Sequence, residues 1–62
     1  MLAELLATAR AAGWRVAAHN DFLQGGQWLT FWLFTHPDGQ WVQGEGRTDE
    51  DAVRSAMREM GL

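Results

Sequence analysis

Apolar positions switch between helical and strand spacing along the chain. Leu2, Leu5, Leu6 and Ala9 recur at i, i+3, i+4 and i+7 among Ala3, Glu4, Ala7, Arg10, Ala11 and Ala12. This is the spacing of a one-faced helix built from good helix formers. Gly13 is placed to end it at the C′ position. From Trp14 to Asn20 the letters alternate, which predicts a first strand, and Asn20 to Gly26 reads as a loop closed by Gly25-Gly26. Gln27 to Thr35 (Gln-Trp-Leu-Thr-Phe-Trp-Leu-Phe-Thr) is the densest apolar and aromatic run and reads as the central strand. Pro37-Asp38-Gly39 has the composition of a tight turn, and Gln40 to Gly46 follows as a third strand. Thr48 is the expected N-cap of a second helix, with Asp49, Glu50 and Asp51 at its positive end. Ala52, Val53, Ala56, Met57 and Met60 form that helix's stripe, and Gly61 stops it.

The order α-β-β-β-α predicts an α+β fold of two layers, a three-stranded antiparallel meander with two helices packed on one face. Residues 1–62 form one small domain. In a strand, neighbours point to opposite faces. The helix-covered set expected from the sequence is Trp14, Val16, Ala18, Leu29, Phe31, Leu33 and Val42. The open set is Arg15, His19, Trp28, Thr30, Trp32, Phe34, Trp41, Gln43 and Glu45. Both faces of the central strand are apolar, and a domain of this size has little chain with which to cover two. The expectation is that Arg15, His19, Trp28, Trp32, Phe34, Trp41, Gln43 and Glu45 form a partner-binding surface. A homodimer through the sheet face or edge is the simplest way to cover it.

Composition narrows the picture in two ways. The 62 residues contain no Cys, so neither a disulfide nor a thiolate metal site braces the domain, and stability falls to packing or assembly. The formal charge is −3, with five Arg, eight acids and no Lys, which argues against a protein that grips a phosphate backbone. No run approaches the roughly 20 apolar residues of a bilayer span, and Met1-Leu2-Ala3-Glu4 lacks a basic leader, so a cytoplasmic protein is expected.

Candidate chemistry is sparse. His19 with Asp21, and His36 with Asp38, are each adjacent to a turn and lack a third ligand, so structural roles are expected and neither metal nor cofactor. Gly44-Glu45-Gly46-Arg47-Thr48 lacks the glycine spacing and Lys of a phosphate loop. Glu45, Asp49, Glu50 and Asp51 offer a reading as a mimic of a phosphate backbone, although three of them also suit a helix N-terminus. No catalytic motif is present, and an enzyme is not expected.

The element order resembles that of double-stranded-RNA-binding domains, but their second helix opens with basic residues where this one opens Thr48-Asp49-Glu50-Asp51. The junction Gly44-Glu45-Gly46-Arg47-Thr48-Asp49-Glu50-Asp51-Ala52-Val53 is similar to the strand-to-helix junction of HicB-type antitoxins. Most of the chain, through His19-Asn20-Asp21, Thr30-Phe31-Trp32-Leu33-Phe34-Thr35-His36-Pro37-Asp38-Gly39 and Gly44-Glu45-Gly46, resembles small accessory proteins of phages and prophages in GC-rich bacteria, some of which are anti-CRISPR inhibitors. The resemblance implies a non-enzymatic protein-binding module that blocks a host defence (CRISPR-Cas) complex by occupying its surface. The alternative is a nucleic-acid-binding or HicB-like antitoxin-type regulator.

Overall fold

The computed structural model describes residues 1–62, in the order α1 (Leu2–Ala11), β1 (Arg15–Gln24), β2 (Gln27–Thr35), β3 (Trp41–Gly46) and α2 (Asp49–Met60). The strands form one antiparallel sheet in the order β1-β2-β3, and the domain is α+β as the sequence implies. At the end of α1, Gly13 takes φ 98°, its N–H bonds to the Arg10 carbonyl at 2.9 Å, and Trp14 N–H bonds to the Ala9 carbonyl at 3.0 Å. These paired bonds are the Schellman arrangement, and they deliver Trp14 into the core. At the start of α2, Thr48 Oγ1 accepts from the Asp51 N–H at 3.1 Å, which fixes the N-cap.

Strand β1 is longer than the alternating pattern suggests. It runs through Asn20, Asp21, Phe22, Leu23 and Gln24, where the sequence reads as a loop. The reason lies in Gly25 and Gly26, at φ 57° and 78°. Two successive positive-φ residues make the two-residue turn whose twist matches a hairpin, so pairing continues to Gln24 and Gln27. Because β3 stops at Gly46 opposite Thr30, the pairs Phe22–Leu29, Leu23–Trp28 and Gln24–Gln27 project as a two-stranded arm. The radius of gyration is 11.3 Å, slightly above the roughly 10.6 Å of a compact chain this long.

Both helices pack on one face of the sheet, but the face of β2 they cover is the opposite of the one expected. Thr30, Trp32 and Phe34 are buried beneath the helices, while Leu29, Phe31 and Leu33 are half-buried on the side that no helix covers. The core is Ala9, Trp14, Trp32, Phe34, Ala52, Val53, Ala56 and Met57, flanked by Leu2, Leu5, Leu6, Val42 and Met60. The cause is register. Phe34 pairs with Val42, Trp32 with Gly44 and Thr30 with Gly46, so these six share a face. Gly44 and Gly46 on that face lie directly against α2: a Cβ on Gly44 would stand 2.1 Å from the Ala52 carbonyl oxygen. Two glycines on the strand and two alanines on the helix bring α2 down onto the sheet, and the large side chains at 32 and 34 fill the remaining space. In β1 a bulge between Val16 and Ala18 shifts the phase, which turns Ala18 to the open side and His19 to the helix side.

Candidate functional site

Cross-strand pairing defines the open face residue by residue. Leu33 lies between Ala18 and Gln43, Phe31 between Asn20 and Glu45, Leu29 beside Phe22, and Thr35 beside Trp41. An apolar strip of Phe22, Leu29, Phe31 and Leu33 therefore runs along the sheet, with Trp41, 64% exposed, at one end. Asn20, Gln43 and Glu45 border it, all exposed. Aromatic side chains carry about 150 to 250 Å² each, so a half-shielded strip of this make-up presents on the order of 300 to 400 Å² of apolar surface.

The eight residues expected to bind a partner are distributed differently. Trp41, Gln43 and Glu45 are on the open face, and so is Arg15, which pairs with Thr35 beside Trp41. Trp32 and Phe34, at 5% and 1% exposure, belong to the core and are not available to a partner. His19 lies on the helix side of β1, stacked on Trp32 with ring centroids 4.2 Å apart and planes within 12°. Trp28 is also on the helix side but beyond the reach of α2, on the projecting arm opposite Leu23, and is 66% exposed. Arg15 is exposed, and its guanidinium donates to the carbonyls of Arg10 (3.2 Å) and Trp14 (2.9 Å) at the end of α1. The sequence reading missed Phe22, Asn20, Leu29, Phe31 and Leu33 as members of the open surface. The signal that identifies them is the glycine pair at 44 and 46: residues that must face the helix fix the facing of every strand residue paired with them.

Asp49, Glu50, His36 and Asp38, singled out in the sequence, are bonded within the fold. Asp49 Oδ1 accepts from Trp32 Nε1 at 2.9 Å and from Thr30 Oγ1 at 3.0 Å. These two bonds, the indole's first, hold its carboxyl below the usual aspartate range. Buried Trp32 and Thr30 thus have their donors satisfied by the first residue of α2, which ties helix to sheet. Glu50 accepts from the α-amino group of Met1 at 2.6 Å and pairs with Arg54 at 3.2 Å. His36 Nε2 donates to the Ala12 carbonyl at 3.1 Å, its Nδ1 accepts the Asp38 N–H at 3.3 Å, and its ring meets Trp14 edge-on at 5.0 Å. Asp38 accepts from the Gln40 backbone N–H at 2.9 Å and its side-chain amide at 2.6 Å, which lowers its pKa. No three His, Asp or Glu side chains converge, and the surface has no enclosed pocket. No helix is long and apolar enough to cross a membrane.

Protein-family models, curated proteins and solved structures give no match to this chain.

Proposed function

We propose that the chain is a non-catalytic protein-binding module whose working surface is the sheet face turned away from the helices. One observation carries the reading. Phe22, Leu29, Phe31 and Leu33 form a continuous apolar strip on a side that no element covers, while the polar groups at the sheet–helix junction are engaged within the fold. A surface of this kind binds by shape and burial and needs no pocket. Phe31 at the strip's centre and Trp41 at its end are the anchors, because large aromatics contribute most when a partner desolvates them. Asn20, Gln43 and Glu45 form the polar rim. Resemblance to small phage accessory proteins favours a host defence complex of the CRISPR type as the target, blocked by occupation. The net charge of −3 and the acidic opening of α2 weigh against a nucleic-acid target.

The test is affinity capture from bacterial lysate with the wild-type domain, Phe31→Asp and Trp28→Asp. A protein retained by wild type and by Trp28→Asp, but lost from Phe31→Asp with its circular dichroism unchanged, is the expected result. Retention by folded Phe31→Asp, or recovery of nucleic acid in place of protein, would overturn the proposal.

A further inference from the structure

We infer that the outer edge of β1 is a self-recognition site, at which a second copy of the chain adds antiparallel to form a continuous six-stranded sheet. The inference is independent of what covers the open face. β1 is an edge strand with no other strand beside its outer side, and every residue from Arg15 to Asp21 is exposed. Natural edges are protected by Lys, by Pro, by shortness or by bulges. This ten-residue strand has neither Lys nor Pro, and its one bulge, at Ala17, leaves Ala18 to Gln24 regular.

The hairpin turn determines which backbone groups are free. Gln24 and Gln27 close a two-residue turn and therefore exchange both ladder bonds. Alternation then turns the N–H and C=O of Phe22, Asn20 and Ala18 toward β2. The Asn20 carbonyl oxygen, 3.4 Å from Thr30 Oγ1 on β2, agrees with that orientation. The N–H and C=O of His19, Asp21 and Leu23 accordingly point outward and are free to accept a new strand.

Two copies related by a twofold axis can pair these outward residues in only a few registers, and the side chains discriminate between them. Centring the axis on Asp21 sets two carboxylates opposite each other, and centring it on His19 sets two imidazoles opposite each other. Facing carboxylates destabilise the first register, and the second leaves Asp21 without His19 across the ladder. Centring it on Asn20 places His19 opposite Asp21 of the second copy, twice by symmetry. The same register sets Asn20 against Asn20, whose amides donate and accept reciprocally, and Phe22 against Ala18, a large side chain against a small one. Both pairs of helices then lie on one side of the six-stranded sheet, and the two apolar strips join on the other. The shorter edge of β3 offers no equivalent, since it contains Gly44 and Gly46 and would set Trp41 against Glu45.

The experiment is sedimentation equilibrium at micromolar concentration, with cysteine trapping in a chain that has no native thiol. Wild type should sediment at twice its 7.0 kDa chain mass. Asp21→Lys, on an exposed side chain, should sediment as a folded monomer, and His19→Asp combined with Asp21→His should dimerise again. Asn20→Cys should form an intermolecular disulfide on mild oxidation, because that non-hydrogen-bonded pair brings the side chains close; Gln43→Cys on the other edge should not. A monomeric wild type, an Asp21→Lys dimer as tight as wild type, or faster trapping at residue 43 than at 20 would each overturn the inference.

Discussion

Gly44→Ala tests the element that sets the register of the whole domain. A strand glycine replaced by alanine ordinarily stabilises a protein by about 0.4 to 1 kcal/mol, because the unfolded chain loses freedom. Here the sign reverses. The added Cβ would stand 2.1 Å from the Ala52 carbonyl oxygen, 2.4 Å from the Ala56 nitrogen and 3.1 Å from the Ala56 Cα. All three are backbone atoms, so no rotamer change relieves the contact, and α2 must lift by about 1 Å to restore ordinary separations. A gap of that size forfeits about a quarter to a half of the dispersion energy along the contact. Val53, Ala56 and Met57 would all lose packing against Trp32 and Phe34. Overpacking typically costs about 1 to 3 kcal/mol, and in a domain of this size about 2 kcal/mol lowers Tm by roughly 10 to 15 °C. Thermal unfolding followed by far-UV circular dichroism measures it. Gly46→Ala, whose nearest contact is 2.7 Å from Asp51 Cβ, should cost less. An unchanged or raised Tm for Gly44→Ala would refute the close approach of helix and strand.

Neighbouring positions on β2 should behave oppositely in urea titrations. Trp32→Ala removes a buried, hydrogen-bonded side chain and should cost about 3 to 5 kcal/mol, whereas half-buried Leu33→Ala should cost about 1 kcal/mol. Asp49→Ala should destabilise by about 1 to 3 kcal/mol, because it leaves Trp32 Nε1 and Thr30 Oγ1 without their acceptor, while Asp49→Asn, which keeps an oxygen in place, should cost less. The lowered pKa of Asp49 gives the pH dependence its sign. Its contribution is complete above the ordinary value of 3.8 and is lost as pH falls below that through the depressed value. An acid titration of Tm should therefore be flatter for Asp49→Asn than for wild type.

Element order, both helix ends and the role of Gly13 were legible in the sequence, because periodicity and capping are local properties. The facing of β2 was not. With Leu29, Phe31 and Leu33 on one side and Trp32 and Phe34 on the other, hydropathy is nearly balanced, and the choice passes to partners distant in sequence. Gly44 and Gly46 decide it through their approach to Ala52 and Ala56, a contact between elements that alternation within one strand does not encode. The bulge at Ala17 is equally silent, and it moves His19 from the expected open side to the stack on Trp32. The arm was hidden for a different reason: Asn20 and Asp21 are turn formers by composition, and only the paired positive φ values of Gly25 and Gly26 extend the strand through them.

Alternating cysteine reactivity along β2 tests most directly whether the face opposite the helices is the accessible surface. Single cysteines at residues 30, 31, 33 and 34, introduced into the Cys-free chain, would be timed with a thiol reagent, alone and with any captured partner. Phe31→Cys and Leu33→Cys should react quickly and be protected by the partner, while Thr30→Cys and Phe34→Cys should react slowly in both conditions. Fast reaction at 30 and 34 with protection at 31 and 33 in the free domain would contradict the account.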